Sequence, residues 1–510
     1  MVALSCALSL CAASAISAQD TGAATDSAQE AADLELISAL ERVVSRAIAK
    51  AERSVVSIAR RKRDTGPQFA DSHPGSVFRT RDTSTPLDPN FAASEFATGV
   101  VIDARGLILT NRHVLGDDPE ENDFFVTTAD RKVFTVKVVD RKVFPMKIKA
   151  SDAMSDLAVL EPAQDGAVRA GDFVPIQFSD ASTLRKGQIV IALGNPYGIA
   201  RDGQASASWG IVANLARKAS ASSEDDIQKP FYDYGTLIQT DAKLNLGTSG
   251  GALINVRGEM VGLTTSLAAA AGFEQPAGYA LPIDKSMLRI IQALKEGREV
   301  EYGLLGIVPE NLRHDEMKRG TPGVLVSHIV PGGPAAKANL RQNDVITCVD
   351  NKVIYDKDAL RLHVGKLPPG SVTTLTVWRP TETKPFEKRV VLGKLRVELP
   401  QTYTRRPAAW RGLIVDHRLP KKLDSLGQFP IASPSEDFST PSVAVRAVAE
   451  GSAAWQAGLR EGMLISHVGS TPVATPADFH TAVASQSGAV KLRLLSTTDG
   501  GKQTIVVPAE

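Results

Sequence analysis

The stretch Gln239-Thr240-Asp241-Ala242-Lys243-Leu244-Asn245-Leu246-Gly247-Thr248-Ser249-Gly250-Gly251 follows an apolar run, Thr236-Leu237-Ile238. A serine between glycines at the end of a strand suits a nucleophile on a tight turn. Glycine there lets backbone N–H groups approach a developing oxyanion with no Cβ in the way. A serine hydroxyl is a weak nucleophile near neutral pH, so it needs a base, and the base needs an orienting group. The stretch alone decides neither chemistry nor fold. Glycine-rich turns containing serine are common, and these residues also fit Gly-x-Ser-x-Gly, the strand-to-helix turn whose acidic and histidine partners follow the serine. The order of the partners decides.

Upstream lie short apolar runs, Thr98-Gly99-Val100-Val101-Ile102 and Gly106-Leu107-Ile108-Leu109-Thr110, the second leading into Asn111-Arg112-His113. Of eight histidines, His113 alone sits at a strand edge before the serine. The run Ser155-Asp156-Leu157-Ala158-Val159-Leu160 opens with a carboxylate. A carboxylate so placed must be paired or hydrogen-bonded, and a histidine N–H is a natural partner. Downstream of Ser249 no strand–helix alternation remains to host partners. The order His113, Asp156, Ser249 amid many short strands is that of a chymotrypsin-like double β-barrel. In that chemistry Ser249 attacks a peptide carbonyl, His113 carries the proton and Asp156 orients the imidazole.

Residues 50–298 resemble the protease domain of the HtrA/Do family of trypsin-like serine proteases. The matching stretches are Gly106 to Val114, Ser155 to Leu160, Gly187 to Gly198 and Gln239 to Gly251. The family pattern Asn-Pro-Gly-Asn-Ser-Gly-Gly-Pro reads here Asn245-Leu246-Gly247-Thr248-Ser249-Gly250-Gly251-Ala252, a local departure that removes no catalytic side chain. The resemblance implies a protease domain over 53–298, with an oxyanion loop of Gly247, Thr248 and Ser249 and a substrate cleft walled by Leu263, Thr264 and Thr265. It also implies unfolded protein substrates, and a homotrimer or larger homo-oligomer. A proteolytically silent, peptide-binding chaperone of the same architecture is the rival reading.

The C-terminal part repeats itself. Val324 to Leu340 lies over Val443 to Leu459 at a constant offset, 459 − 340 = 119. Two copies of about a hundred residues argue for tandem domains rather than a solenoid. Each copy resembles a PDZ domain, over 300–397 and 408–510. In the first, Gly303-Leu304-Leu305-Gly306-Ile307 matches the family's carboxylate-binding loop, where successive N–H groups cradle a peptide C-terminus. The second has a single glycine in Trp410-Arg411-Gly412-Leu413-Ile414 and a polar insert near Leu419 to Thr440, so peptide capture is less expected there. Leu399 to Pro407 reads as a linker. The fold class is therefore mainly β: a double barrel followed by two PDZ domains.

At 510 residues the chain suggests about three domains. Lys plus Arg number 58 against 57 Asp plus Glu, so no overall field favours nucleic acid. Residues 1–18 resemble the apolar part of a secretory signal, pointing to export, in the family's case to the periplasm. No later run is long enough for a membrane span. Cys6 and Cys11 fall in that segment, leaving Cys348 alone. Ser27-Ala28-Gln29-Glu30 reads as a capping box opening an amphipathic helix over 27–52. Arg60 to Glu95 reads as a long exposed loop with a solvated basic cluster. Scattered histidines leave no ligand-spaced cluster, so neither metal nor cofactor is expected.

Overall fold

The computed structural model describes residues 7–63, 93, 95–130, 140–164, 166, 168–195, 204–218, 230–265, 278–313, 322–418, 440–495 and 502–509. A helix, α1 (Ala7–Ala51), opens the chain. It runs through Ser27, so the expected capping box does not start it; the alanine-rich residues before Ser27 have enough helix propensity to continue upstream. Its last turns dock, with Ala47 and Ala51 buried and Val44 and Ile48 against the main core. Leu34, Leu36 and Ile37 are exposed.

The first barrel uses β1 (Val55–Lys62), β2 (Glu95–Asp103), β3 (Leu107–Asn111), β4 (Asn122–Asp130), β5 (Asp140–Asp152) and β6 (Leu157–Pro162). Their order β5-β4-β1-β2-β3-β6 closes through a β5–β6 pairing. The second uses β7 (Ile189–Gly194), β8 (Ser206–Arg217), β9 (Leu237–Thr240), β10 (Ala252–Asn255), β11 (Met260–Thr265) and β12 (Gly278–Pro282), closed in the order β10-β11-β12-β9-β8-β7. Strand alternation divides the burial. On β3, Ile108 fills the first barrel while Leu107 and Leu109 enter a core shared by both barrels. On β7, Val190 and Ala192 fill the second barrel while Ile191 and Leu193 enter the same shared core. Apolar residues on both faces of these strands thus press the barrels together, and the seam between them is where the site forms.

Arg60 to Lys62 belong to β1 and not to a loop. Arg60 pairs with Glu95, while Arg61 and Arg63 reach Asp123 at 3.1 and 2.7 Å, so the basic run is neutralised across neighbouring strands. Residues 64–92 of the expected loop lie outside the described residues.

Helix α2 (Lys285–Lys295), capped by the Asp284 side chain, leads out of the barrels. The first C-terminal unit has β13 (Gly303–Leu304), β14 (Ile307–Asn311), β15 (Val324–Ile329), β16 (Val345–Val349), β17 (Lys352–Val353), α3 (Lys357–Gly365), β18 (Val372–Trp378), β19 (Phe386–Val391) and β20 (Gly393–Lys394). Its main sheet runs β14-β15-β16-β18-β19. After β21 (Gln401–Tyr403) the second unit has β22 (Leu413–His417), β23 (Val443–Val448), β24 (Leu464–Val468), β25 (Thr471–Pro472), α4 (Pro476–Ala484), β26 (Val490–Leu495) and β27 (Lys502–Val507). Its sheet runs β22-β23-β24-β26-β27, the same path again.

The repeat extends to single bonds. Val330 and Ala335 donate to the carbonyls of Gly306 and Leu305, each at 3.0 Å; Ala449 and Ala454 donate to Gly412 and Arg411 at 2.8 and 3.2 Å. The donors are offset by 119 and the acceptors by 106, so 119 − 106 = 13 residues are inserted between β22 and β23. Residues 419–439 of that insert lie outside the described residues. The expected linker is also corrected. Its Gln401 to Tyr403 form a strand on the free edge of β5, pairing Gln401 with Asp152 and Tyr403 with Ala150. β4 pairs with β5 only as far as Met146, so this edge is left open for another strand to cover.

Candidate active site

His113 and Asp156 come from adjacent strands of the first barrel. β3 ends at Asn111, and a single 3₁₀ turn, Arg112–Leu115, carries His113. Asp156 lies in the tight connection between β5 and β6, one residue before the strand expected to open with it, and has a left-handed φ of 56°. Its carbonyl accepts from Arg112 N–H at 2.9 Å. Its carboxylate Oδ1 accepts from His113 N–H at 3.0 Å, and Oδ2 lies 2.9 Å from His113 Nδ1. Asn111 Nδ2 donates to the same Oδ2 at 3.2 Å. The carboxylate thus holds a proton on Nδ1 and leaves Nε2 as the acceptor nitrogen. The Asp156 side chain is 5% exposed and that of His113 33%, a buried carboxylate under an accessible imidazole. Burial favours the neutral imidazole, but the charge and hydrogen bond of Asp156, with Glu95 further away, outweigh it and raise the His113 pKa above its ordinary value. Burial, then the charge of Asp156, also pushes the Tyr232 hydroxyl up.

Ser249 comes from the second barrel. Thr248 N–H donates to the Asn245 carbonyl at 3.1 Å, and Gly247 has φ +91° while Leu246 stays in the ordinary region. This is a type II turn over Asn245–Thr248, in which glycine occupies the position needing positive φ. Thr248 Oγ1 adds a second bond to the Asn245 carbonyl at 2.6 Å. The Thr248 hydroxyl therefore ties the turn that leucine, standing where the family has proline, does not pre-set.

The serine loop is pinned against the first barrel. Thr98 N–H donates to the Ser249 carbonyl at 2.9 Å and Thr98 Oγ1 to the Gly247 carbonyl at 2.7 Å. Thr110 Oγ1 donates to the Thr98 carbonyl at 2.8 Å. A Cβ on Gly250 would come within 2.1 Å of that carbonyl and 2.2 Å of Thr110 Oγ1. Thr110 directly precedes Asn111, so the serine loop, His113 and the Asp156 carboxylate meet at one end of β3.

Leu263, Thr264 and Thr265 are buried beneath this loop. Thr264 clamps it: its N–H donates to Gly251, its carbonyl accepts from Gly250, both at 2.9 Å, and its hydroxyl donates to the Thr248 carbonyl at 2.6 Å. Gly303 to Ile307 lie in the first C-terminal unit, where β13 pairs with β20, Gly306 has φ +77° and Leu305 and Ile307 are buried. Sequence reasoning missed Asn111, Thr98 and Thr110 as parts of the site. Polar residues in strands otherwise built to be buried were the available signal.

Residues 97–263 match the trypsin-like peptidase domain and residues 303–390 the PDZ domain. A DegP-like periplasmic serine endoprotease of Chlamydia trachomatis is 28% identical over 413 residues, 79% of this chain and 72% of that protein. The periplasmic pH-dependent serine endoprotease DegQ of Escherichia coli K12 is 28% identical, over 78% and 77% of the two chains. The periplasmic serine endoprotease DegP of the same strain is 31% identical over 287 residues, and this chain spans 54% of its length. The chain is a serine endoprotease with a PDZ domain. Among solved structures, the HtrA-type protease AlgW with decapeptide matches 69% of this chain at 25% identity and a TM-score of 0.48.

Proposed function

We propose that this endoprotease cleaves unfolded proteins through an acyl-enzyme formed on Ser249, with His113 as general base and acid and Asp156 as orienting group. The observation that carries the assignment is the His113–Asp156 pair, 2.9 Å apart on one side of the seam, with the serine loop bound to Thr98 beside it. Thr248 N–H is taken up inside its own turn, so the oxyanion donors are the N–H groups of Gly247 and Ser249. The type II turn with positive φ at Gly247 supports a formed oxyanion loop over the silent, chaperone-like alternative.

The first C-terminal unit takes peptide C-termini. Ile307–Asn311 is the outer strand of its sheet, next to α3 and directly after the Gly306 turn, the arrangement that strand addition needs. The shared sheet path supports reading the second unit as a further PDZ domain with a loop that is built differently. Arg411 Nη1 donates to the Val507 and Pro508 carbonyls at 3.0 and 2.8 Å, and its guanidinium lies 4.7 Å over Trp410. That side chain ties the loop to the last strand, which suits docking or assembly. The protein works outside the cytoplasm, in the periplasm, as a homotrimer or larger homo-oligomer without nucleic acid; the periplasmic names of its relatives support the export. Among the described residues no helix is long and apolar enough to cross a membrane.

Turnover of unfolded casein by wild type and Ser249→Ala tests the central assignment. The substitution lowers kcat by about 10⁶-fold if the three side chains act as one unit, and a fluorophosphonate adduct maps to Ser249. Equal turnover by both proteins would remove the serine from the mechanism.

A further inference from the structure

Beneath the catalytic turn lies a second carboxylate that the mechanism does not use. Asp152 is completely buried, and donors from three separate segments converge on it. Oδ2 accepts from Ser155 N–H at 2.8 Å, from Ser155 Oγ at 2.5 Å and from the Tyr302 hydroxyl. Oδ1 accepts from Gln401 Nε2 at 2.6 Å. Gln401 Nε2 also reaches the Val300 carbonyl at 3.1 Å, and Ala153 N–H donates to the Pro400 carbonyl at 3.1 Å.

We propose that Asp152 is a positioning residue for proteolysis, and that Tyr302 and Gln401, from either side of the first C-terminal unit, act on the catalytic site through it. This inference rests on the assignment of Asp156 to the triad. The geometry is short and direct. The two bonds from Ser155 to Asp152 close the turn 152–155, and the next residue is Asp156, held at left-handed φ. A turn left slack would let the Asp156 carboxylate swing away from His113. Ser155 alone cannot anchor Asp152, since both move together. The anchors are Tyr302, packed edge-on against the Phe231 ring and held by Leu395 N–H on its carbonyl at 2.7 Å, and Gln401, fixed in the β21–β5 ladder. Tyr302 and Gln401, 150 and 249 positions downstream of Asp152, thereby set the orientation of Asp156. A carboxylate this deep is costly unless all its acceptors are used, so removing one donor loosens the others.

The test uses the full chain carrying Tyr302→Phe, Gln401→Leu, Asp152→Asn or Ser249→Ala, with kcat and KM on unfolded casein, the fluorophosphonate labelling rate and the pH profile of kcat/KM. Tyr302→Phe and Gln401→Leu keep the packing and decide the matter even where Asp152→Asn does not fold. Expected for each is a kcat lowered at least fivefold with KM within twofold. Labelling slows in step, and the acid limb of the profile moves to lower pH as His113 loses its aligned partner. A merely structural cluster would lower thermal stability and leave kcat and the acid limb in place, and that result overturns the proposal, as does a loss carried by KM. If Ser249→Ala turns over substrate like wild type, the triad assignment fails; if it is inactive while the other variants match wild type, this inference alone fails.

Discussion

The two barrels present the proposed catalytic groups in different ways. The barrel bearing Ser249 closes on itself, and its loop is clamped locally by Thr264 and the type II turn. The barrel bearing His113 and Asp156 also closes, but the last residues along one edge of its longest strand, left open by β4, are covered by a segment beyond the first C-terminal unit. The serine loop is therefore held by the two barrels alone, its own and, through Thr98, the neighbouring one, while the barrel of His113 and Asp156 also leans on a segment far along the chain. Disturbing the serine loop should damage activity and local stability together. Disturbing the base should alter proton transfer while the fold stands.

Asp156→Asn breaks the base side most severely. The imidazole keeps its place but loses the partner that fixes its tautomer, and kcat falls by about 10⁴-fold with little change in KM. Steady-state kinetics on casein beside an unchanged thermal transition check this. A drop below tenfold would show that an amide oxygen in place of the carboxylate accepts from His113 Nδ1 and fixes the tautomer without the charge.

Gly250→Ala breaks the nucleophile side. Its φ is +82°, and the new methyl group would need the space of the Thr98 carbonyl. Backbone strain and overpacking together cost about 3 kcal/mol, and Ser249 labelling falls with stability. Gly451→Ala is the control: its φ is +77° but no atom lies within 4 Å, so the cost is about 1 kcal/mol and labelling is unaffected. Thr264→Val tests the same clamp more gently. The Thr248 carbonyl keeps its bond from Gly251 N–H, so losing the hydroxyl costs about 1 kcal/mol and lowers kcat severalfold. Thermal unfolding and labelling on one preparation separate the two effects.

The difference between the halves also explains what could be read from the chain alone. The order His113, Asp156, Ser249 and the glycines around the serine could be proposed as a site from the chain alone because that chemistry restricts residue type. The repeat was legible because both copies keep the same donors at one offset. What escaped depends on contacts distant in sequence. Gln401-Thr402-Tyr403 carries polar residues and neighbouring proline, the signature of a linker, and becomes a strand only because β4 leaves the end of β5 uncovered. Arg60 to Lys62 reads as a solvated run until Asp123 and Glu95 are placed beside it. The Ser27 cap has a local pattern but sits inside a helix that alanine propensity extends past it.

The smallest expected effect concerns Glu95, which opens β2 and pairs with Arg60. Burial works against protonation of His113, Asp156 is the larger opposing influence, and Glu95 adds to it from further away. Catalysis needs the imidazole neutral, so a raised pKa holds the acid limb of kcat/KM at higher pH than an ordinary histidine would give. Glu95→Gln should move that limb to lower pH, by less than misaligning Asp156 does, because the carboxylate is 45% exposed and partly screened by solvent. Stability runs in the opposite sense. A group whose pKa is raised by folding contributes stability in full below its unfolded value, and that contribution disappears as pH rises through the folded value. Raising pH through this window should therefore increase activity while removing the His113–Asp156 contribution to stability. Parallel pH series of kcat/KM and thermal midpoint would show the opposed trends in wild type and a smaller stability change in Glu95→Gln; a limb that stays in place in the variant would assign the shift to Asp156 alone.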